Sequence, residues 1–304
     1  MSLRTSAKGV VEWGLVTMGA TRWGRWRHRN HAVILAYHNV LPEGKGAVGD
    51  RSLHLPFEAF RRQINLLSRT HQVVSLAELL DEPSGKGSRP RAAITFDDAY
   101  RGAVQVALPW LHSRGLPATV FVAPGLLGDQ SFWWDLLADP GVGGVPAQLR
   151  AWALTQERGE GPMVLESKPP ETQTMPPHAR SVTREELLAA GADPLLELAA
   201  HSWSHPNLTR LSMAEVKAQV RETEEWFQSH LGRRSRFLAY PYGLFTVALH
   251  RWLFDRGILG FGLQGGMIPP GASLKHDEPI ARINIPAGVS LRGFELRVSG
   301  VLGG

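Results

Sequence analysis

The chain has 304 residues, 43% of them hydrophobic and 20% charged, which is enough to bury a large core and too apolar for a disordered chain. Cys is absent, so disulfides and thiolate chemistry are excluded and metal ligands are confined to His, Asp and Glu. The formal charge of +5 suits an acidic partner, but no nucleic-acid motif accompanies it and no apolar run approaches the length of a membrane span.

Residues 1–31 form a basic, Trp-rich N-terminal segment. Trp13, Trp23 and Trp26 lie among Arg22, Arg25, Arg27, His28 and Arg29. Trp with Arg is the composition of a membrane-interface segment, so residues 9–31 are a candidate peripheral membrane contact; a helix closing one end of a barrel would look much the same. Glu12 and Thr17 interrupt the apolar run that a secretory leader needs, so a cytoplasmic location, peripheral to the membrane if the segment binds it, is expected.

Residues 32–304 read as one domain. Ala32 to Tyr37 is an apolar run of strand length that ends at His38, either a core histidine bonded to a backbone carbonyl or a functional group at the position where α/β folds place them. Pro56 to Leu67 has helical spacing at Phe57, Phe60, Ile64 and Leu67, and Val73, Val74 and Leu76 make a short strand. The Gly- and Ser-rich stretch Pro83 to Pro90 is a loop. Ala92 to Phe96 is a buried strand that delivers Asp97 and Asp98 together, a pair that suits one acid on a metal and one on water, or plain turn chemistry. A helix over Ala103 to His112 and a strand over Ala118 to Val122 follow, and this alternation implies a largely parallel sheet or barrel.

Residues 129–182 are an insertion with weaker periodicity, containing a helical start at Phe132-Trp133-Trp134-Asp135 and a proline-rich loop from Lys168 to Pro177. Thr183 and Glu186 form a capping box, and Leu195 to Ala200 is a strand. It leads into His201-Ser202-Trp203-Ser204-His205-Pro206, where His-x3-His is ligand spacing; Pro206 points to a helical turn at the strand end. With Asp98 this completes a two-His, one-carboxylate set with open coordination positions. Met213 to Leu231 is a long helix, and Phe237 to Gly243 is a strand broken by Pro241 and Gly243 that frees backbone N–H groups. Ile280 to Ile285 alternates along a last strand and buries or half-buries Arg282; a buried Arg needs a carboxylate partner.

Together these residues resemble the polysaccharide deacetylases of carbohydrate esterase family 4, with an order similar to its rearranged members that act on exported or lipid-linked bacterial glycans. Thr95-Phe96-Asp97-Asp98 resembles the first motif, the His201–His205 segment the second, and Ala239-Tyr240-Pro241-Tyr242-Gly243 the third, over about residues 32 to 290. The resemblance implies an α/β fold, a distorted (β/α) barrel of about seven strands, and hydrolysis of N-acetyl groups on a glycan or glycolipid. It implies Asp98, His201 and His205 as ligands of a divalent metal, Zn2+ or else Co2+ or Ni2+. Asp97 would be the general base and the Tyr242 N–H an oxyanion donor. Two departures need substitutes. The family's third motif begins with an Arg that tethers the base, and Ala239 stands there, so Arg282 is expected to take its place. The family's late Leu-x-His acid is missing, and His38 is expected to replace it because a barrel sets its first and last strands side by side. Trp133, Trp134 and Trp203 suit stacking on sugar rings or core packing. The alternatives are a non-catalytic carbohydrate-binding relative, against which an intact Asp97 argues, and a metal-dependent amidase on small substrates.

Overall fold

The computed structural model describes residues 3–81, 89–169, 175–270 and 275–302. The expected Pro83–Pro90 loop and the middle of the Lys168–Pro177 loop lie outside these residues. Seven strands, β1 (Ala32–Tyr37), β2 (Arg91–Phe96), β3 (Ala118–Val122), β4 (Leu196–Ala200), β5 (Phe237–Ala239), β6 (Leu259–Phe261) and β7 (Ile283–Asn284), follow the spatial order β7-β1-β2-β3-β4-β5-β6. Every neighbouring pair is parallel. The sheet curls into an α/β half-barrel of the distorted (β/α) kind, with the short strand Gln72–Val73 paired to the start of β2.

Strand alternation sorts the core into two compartments. Ala32, Ile34, Ala93, Phe121, Ala199, Phe237, Ala239 and Phe261 form the inner cluster, where small and large side chains share the narrow lumen. Val33, Leu35, Ala92, Ile94, Phe96, Val120 and Val122 face the helices. Because β-branched and aromatic residues are buried on both faces, these strands read as continuous apolar runs. The helix Phe57–Thr70 buries Phe60, Ile64 and Leu67 against the outer face. The helix Met213–Leu231 starts at a capping box of Ser212 with Glu215 and stops at Gly232, whose φ of 65° supplies the left-handed C-cap. A second capping box, Thr183 with Glu186, starts the helix Arg184–Ala190.

Three local expectations are corrected. Residues 103–112 are not one α-helix: Pro109 removes a donor from the ladder, and Ala103–Ala107 is a π-helical turn in which Leu108 N–H donates to Ala103 O. The last strand is shorter than the alternation over 280–285, because Ile280 bridges β6 at Phe261 whereas Ile283 pairs with β1 at Leu35. The segment changes partners in between, and Arg282 sits at the change. The His201–His205 segment is not a helical turn, since Ser202 (φ 62°) and His205 (φ 58°) are left-handed. No helix among the described residues is long and apolar enough to cross a membrane.

Candidate active site

The site lies at the C-terminal ends of β1, β2, β4 and β5. Along β2 the inward parity of Ala93 continues through Thr95 to Asp97, so the Asp97 carboxylate enters the top of the lumen, 2% exposed. Simple alternation would send Asp98 to the helix side. Left-handed backbone at Asp98 (φ 68°) and Ala99 (φ 51°) ends the alternation there. Asp98, Ala99, Ser202, His205 and Tyr242 are five of the seven non-glycine residues with positive φ among the described residues, so backbone strain is concentrated at this site.

Asp98 Oδ1 lies 3.5 Å from His201 Nε2 and 3.2 Å from His205 Nε2, and the three side chains offer ligand atoms within 4.8 Å of one another. All three residues are buried. His201 Nδ1 is 2.8 Å from Ala239 O; the ring N–H assigned there turns the Nε2 lone pair toward Asp98. Neither Nε2 meets hydrogen-bond geometry with Asp98 Oδ1, a buried oxygen without a hydrogen-bond partner among the described residues. Such a carboxylate is costly unless something else satisfies it. Tetrahedral ligands about 2.0–2.1 Å from a zinc ion stand roughly 3.3–3.4 Å apart, so the donor set and its spacing fit a divalent ion. Burial opposes ionisation of Asp98, but the two imidazoles outweigh it and hold the carboxyl far below the usual range. Burial prevails at His205, lowering its pKa and favouring the neutral ring. At His201 burial is outweighed by Asp98 and Asp97, which raise its pKa; a bound cation would compete with that proton.

Arg282, 0% exposed, donates from Nη1 to Asp97 Oδ1 at 2.7 Å and from Nη2 to Asp97 Oδ2 at 2.9 Å. It also reaches Thr95 Oγ1 and Gly262 O, and lies over the Phe121 ring. This two-pronged pair is the partner that a buried Arg requires. Burial alone would raise the Asp97 pKa; Arg282, then His201, more than offset it, and the carboxyl stays below its ordinary value. His38 is half-buried at the end of β1, close enough that a charge on it would favour ionisation of both Asp97 and Asp98. The Tyr242 backbone N–H meets no hydrogen-bond acceptor among the described residues, while its hydroxyl donates to Gly159 O and its ring stands edge-on to His205. Among the described residues, the structure therefore gathers Asp97, Asp98, His201, His205, Arg282, His38 and Tyr242 around one end of the barrel.

Trp133 and Trp134 are buried, 2% and 4% exposed, and the Trp134 face is taken up by stacking on Phe132. With His205 they line a cavity of about 190 Å3 beside the ligand cluster. Trp203 is half-buried outside that wall, its backbone N–H donating to Gln219 Oε1.

Sequence reasoning missed a buried polar network under this wall. The Asp135 carboxylate accepts from Tyr100 OH at 2.7 Å and from Asp50 N–H, and contacts His54 Nε2 at 2.9 Å. His54 Nδ1 is 2.9 Å from Asn39 Nδ2, and Trp134 Nε1–H donates to Tyr100 OH. The network joins the residue after His38 to the loop after Asp98. A lone acid in the aromatic run Phe132-Trp133-Trp134-Asp135 was its one sequence signal.

A family model described as polysaccharide deacetylase matches residues 84–257. The peptidoglycan-N-acetylmuramic acid deacetylase PdaC of Bacillus subtilis (strain 168) is 43% identical over 47 residues, which are 16% of this chain and 10% of that protein. Among solved structures, the Streptococcus pyogenes deacetylase PplD in complex with acetate is similar with a TM-score of 0.59 at 16% identity, over 89% of this chain and 99% of that one. IcaB from Ammonifex degensii has a TM-score of 0.61 at 20% identity, over 89% and 97%. A polysaccharide deacetylase from Bacillus cereus has a TM-score of 0.62 at 12% identity, over 89% and 69%. At these identities the structural likenesses establish the fold.

Proposed function

The chain belongs to the polysaccharide deacetylase family, and from that premise we propose that it is a divalent-metal-dependent hydrolase that removes acetyl groups from N-acetylated sugars of a bacterial-type polysaccharide or glycolipid. The observation that carries the reading is the unsatisfied Asp98 Oδ1 between two imidazole Nε2 atoms, beside an Asp97 held by Arg282.

Asp98, His201 and His205 are the residues that would hold the ion. When bound, it would act as a Lewis acid on the acyl carbonyl and lower the pKa of a nearby water. Asp97 takes the proton of the attacking water, which it can do because Arg282 keeps the buried carboxyl ionised and fixes its direction. The Tyr242 N–H, which meets no acceptor among the described residues, donates to the carbonyl oxygen as charge develops on it. His38 protonates the amine as the C–N bond breaks, and acetate and a free amino sugar leave. The cavity beside His205 receives the sugar, its aromatic wall contributing apolar contact.

The reading is tested by measuring acetate release from a panel of N-acetylhexosamine oligomers, with metal content determined on the same sample. Release that follows metal loading supports it. Oligomer binding without acetate would leave a carbohydrate-binding relative, and release only from small amides would leave an amidase.

A further inference from the structure

We propose that the two N-terminal helices are a docking surface for an anionic lipid membrane. They are α1 (Leu3–Thr17) and α2 (Ala20–Arg27), joined through Gly19 at φ 83°. On a surface helix of a water-soluble domain the apolar side normally faces the core and the charges face water. Here the outward side is apolar as well as basic. Glu12 is 4% exposed and turned inward, its Oε2 accepting from Ser290 Oγ at the N-cap of the helix Leu291–Val298. Thr21 and Gly24 are buried as well, and Arg25 is paired with Glu295 on that same helix. The outward side carries Val10 (67% exposed), Val11 (61%), Trp13 (54%), Met18 (78%), Trp23 (59%) and Trp26 (62%). Six of the eleven large hydrophobic residues exposed among the described residues thus fall within 17 positions, which no core-packing role explains.

The charge lies in the same place. Residues 1–31 contain six Lys or Arg and one acid, Glu12; the other 273 residues contain 27 of each sign. The formal +5 of the protein is therefore carried by this segment, and its one acid is buried. Lys8, Arg22, Arg27 and Arg29 are exposed. Trp rings settle at headgroup depth, Arg and Lys pair with lipid phosphates, and Val and Met enter the acyl boundary. A phosphate backbone alone would give Val10, Val11 and Met18 nothing to bury. A second copy would bring the same positive face against itself. Anionic lipid is the occupant that uses both the apolar and the basic side chains. This inference rests on the N-terminal helices and is independent of the reading of the catalytic site.

The test is co-sedimentation of the full chain with vesicles of phosphatidylcholine alone or mixed with phosphatidylglycerol, at low and high salt. Binding is expected to the mixed vesicles and to weaken with salt. The charge-reversal variant R22E/R27E/R29E should bind them more than about a hundredfold less tightly. W13A/W23A/W26A should lose binding at either salt, and both variants should keep the wild-type thermal midpoint because the changed side chains are exposed. The proposal is overturned if the wild type stays in the supernatant with mixed vesicles, or if both variants sediment as it does. It is also overturned if light scattering shows a dimer that the tryptophan variant dissociates and that does not bind vesicles, or if duplex DNA is bound through the arginines with no dependence on the tryptophans.

Discussion

Arg282→Met removes the cation that faces Asp97 while keeping most of the side-chain volume. Both partners are almost wholly buried, and two charge-assisted hydrogen bonds of 2.7 and 2.9 Å join them. Deleting one member of such a pair leaves an uncompensated buried charge, a cost of about 3–5 kcal/mol, and the contacts to Thr95 Oγ1 and Gly262 O are lost with it. In a chain of this size that corresponds to a fall in melting midpoint on the order of 10 °C. The sign of the pH effect follows from the causes of the Asp97 shift. With Arg282 present the folded pKa is depressed, so the pair's stabilisation is present above the unfolded carboxylate pKa and is lost as pH falls through the folded value. Without Arg282, burial dominates, the pKa rises, and the acid limb of kcat/KM moves to higher pH. Arg282→Lys keeps a charge but cannot grip both oxygens, so it should fall between the two. The double variant Asp97→Asn/Arg282→Met should recover much of the lost stability while remaining inactive. Denaturation of the four proteins, with pH–rate profiles of the three that turn over, decides the matter. A wild-type midpoint with an unmoved acid limb in Arg282→Met would refute the tether.

Asp97→Asn should abolish acetate release while metal analysis still finds the ion, whereas His201→Ala should empty the site; full occupancy in the latter removes its ligand role. His38→Ala should slow amide hydrolysis far more than hydrolysis of an activated aryl ester, whose leaving group needs little protonation, and equal slowing counts against the acid assignment. His71 is buried, with Nε2 3.1 Å from Val298 O, and desolvation lowers its pKa from 6.5 to about 4. The unfolded chain therefore binds the extra proton first, and stability falls as pH drops from 6.5 towards 4, by about 2 kcal/mol at pH 5. His71→Asn should flatten that part of the stability–pH curve; an unchanged slope would remove His71 as its source. Asp135→Ala strands His54, Tyr100 and the Asp50 N–H in the interior and should cost at least about 3 kcal/mol in chemical denaturation. A loss under 1 kcal/mol would show that the network carries little.

Much of the fold was legible because parallel strands buried on both faces leave uninterrupted apolar runs, as Ala118–Val122 does over its full length. The Asp98, His201 and His205 set was legible through residue type and spacing. What spacing could not show was backbone handedness. Pro206 suggested a helical turn, whereas left-handed Ser202 and His205 bring the two rings to the same carboxylate oxygen. Arg282 was legible as a charge in a strand that needed a partner, and two strand ends facing one another supplied it. The Asn39, His54, Tyr100 and Asp135 network was hidden because its members are scattered in sequence and each looks like an ordinary polar residue. Trp134 illustrates a different limit, since composition cannot tell an aromatic face offered to a ligand from one spent on Phe132.

The change of partner between Ile280 and Ile283 gives Arg282 a second task. It stands where the sheet's two ends come nearest, with one hand on Gly262 O beyond β6 and the other on Thr95 and Asp97 at the head of β2. The clasp on the proposed base is also a stitch across the line where the two ends of the strand order meet. A family tether placed at Ala239 would lie within the continuous sheet and be insensitive to that line. Fraying between β6 and β7 is expected to free the proposed base before the strands unravel, so that a gaping barrel loses activity while still folded. Activity is therefore expected to report on closure, with inactivation on heating preceding loss of helical signal.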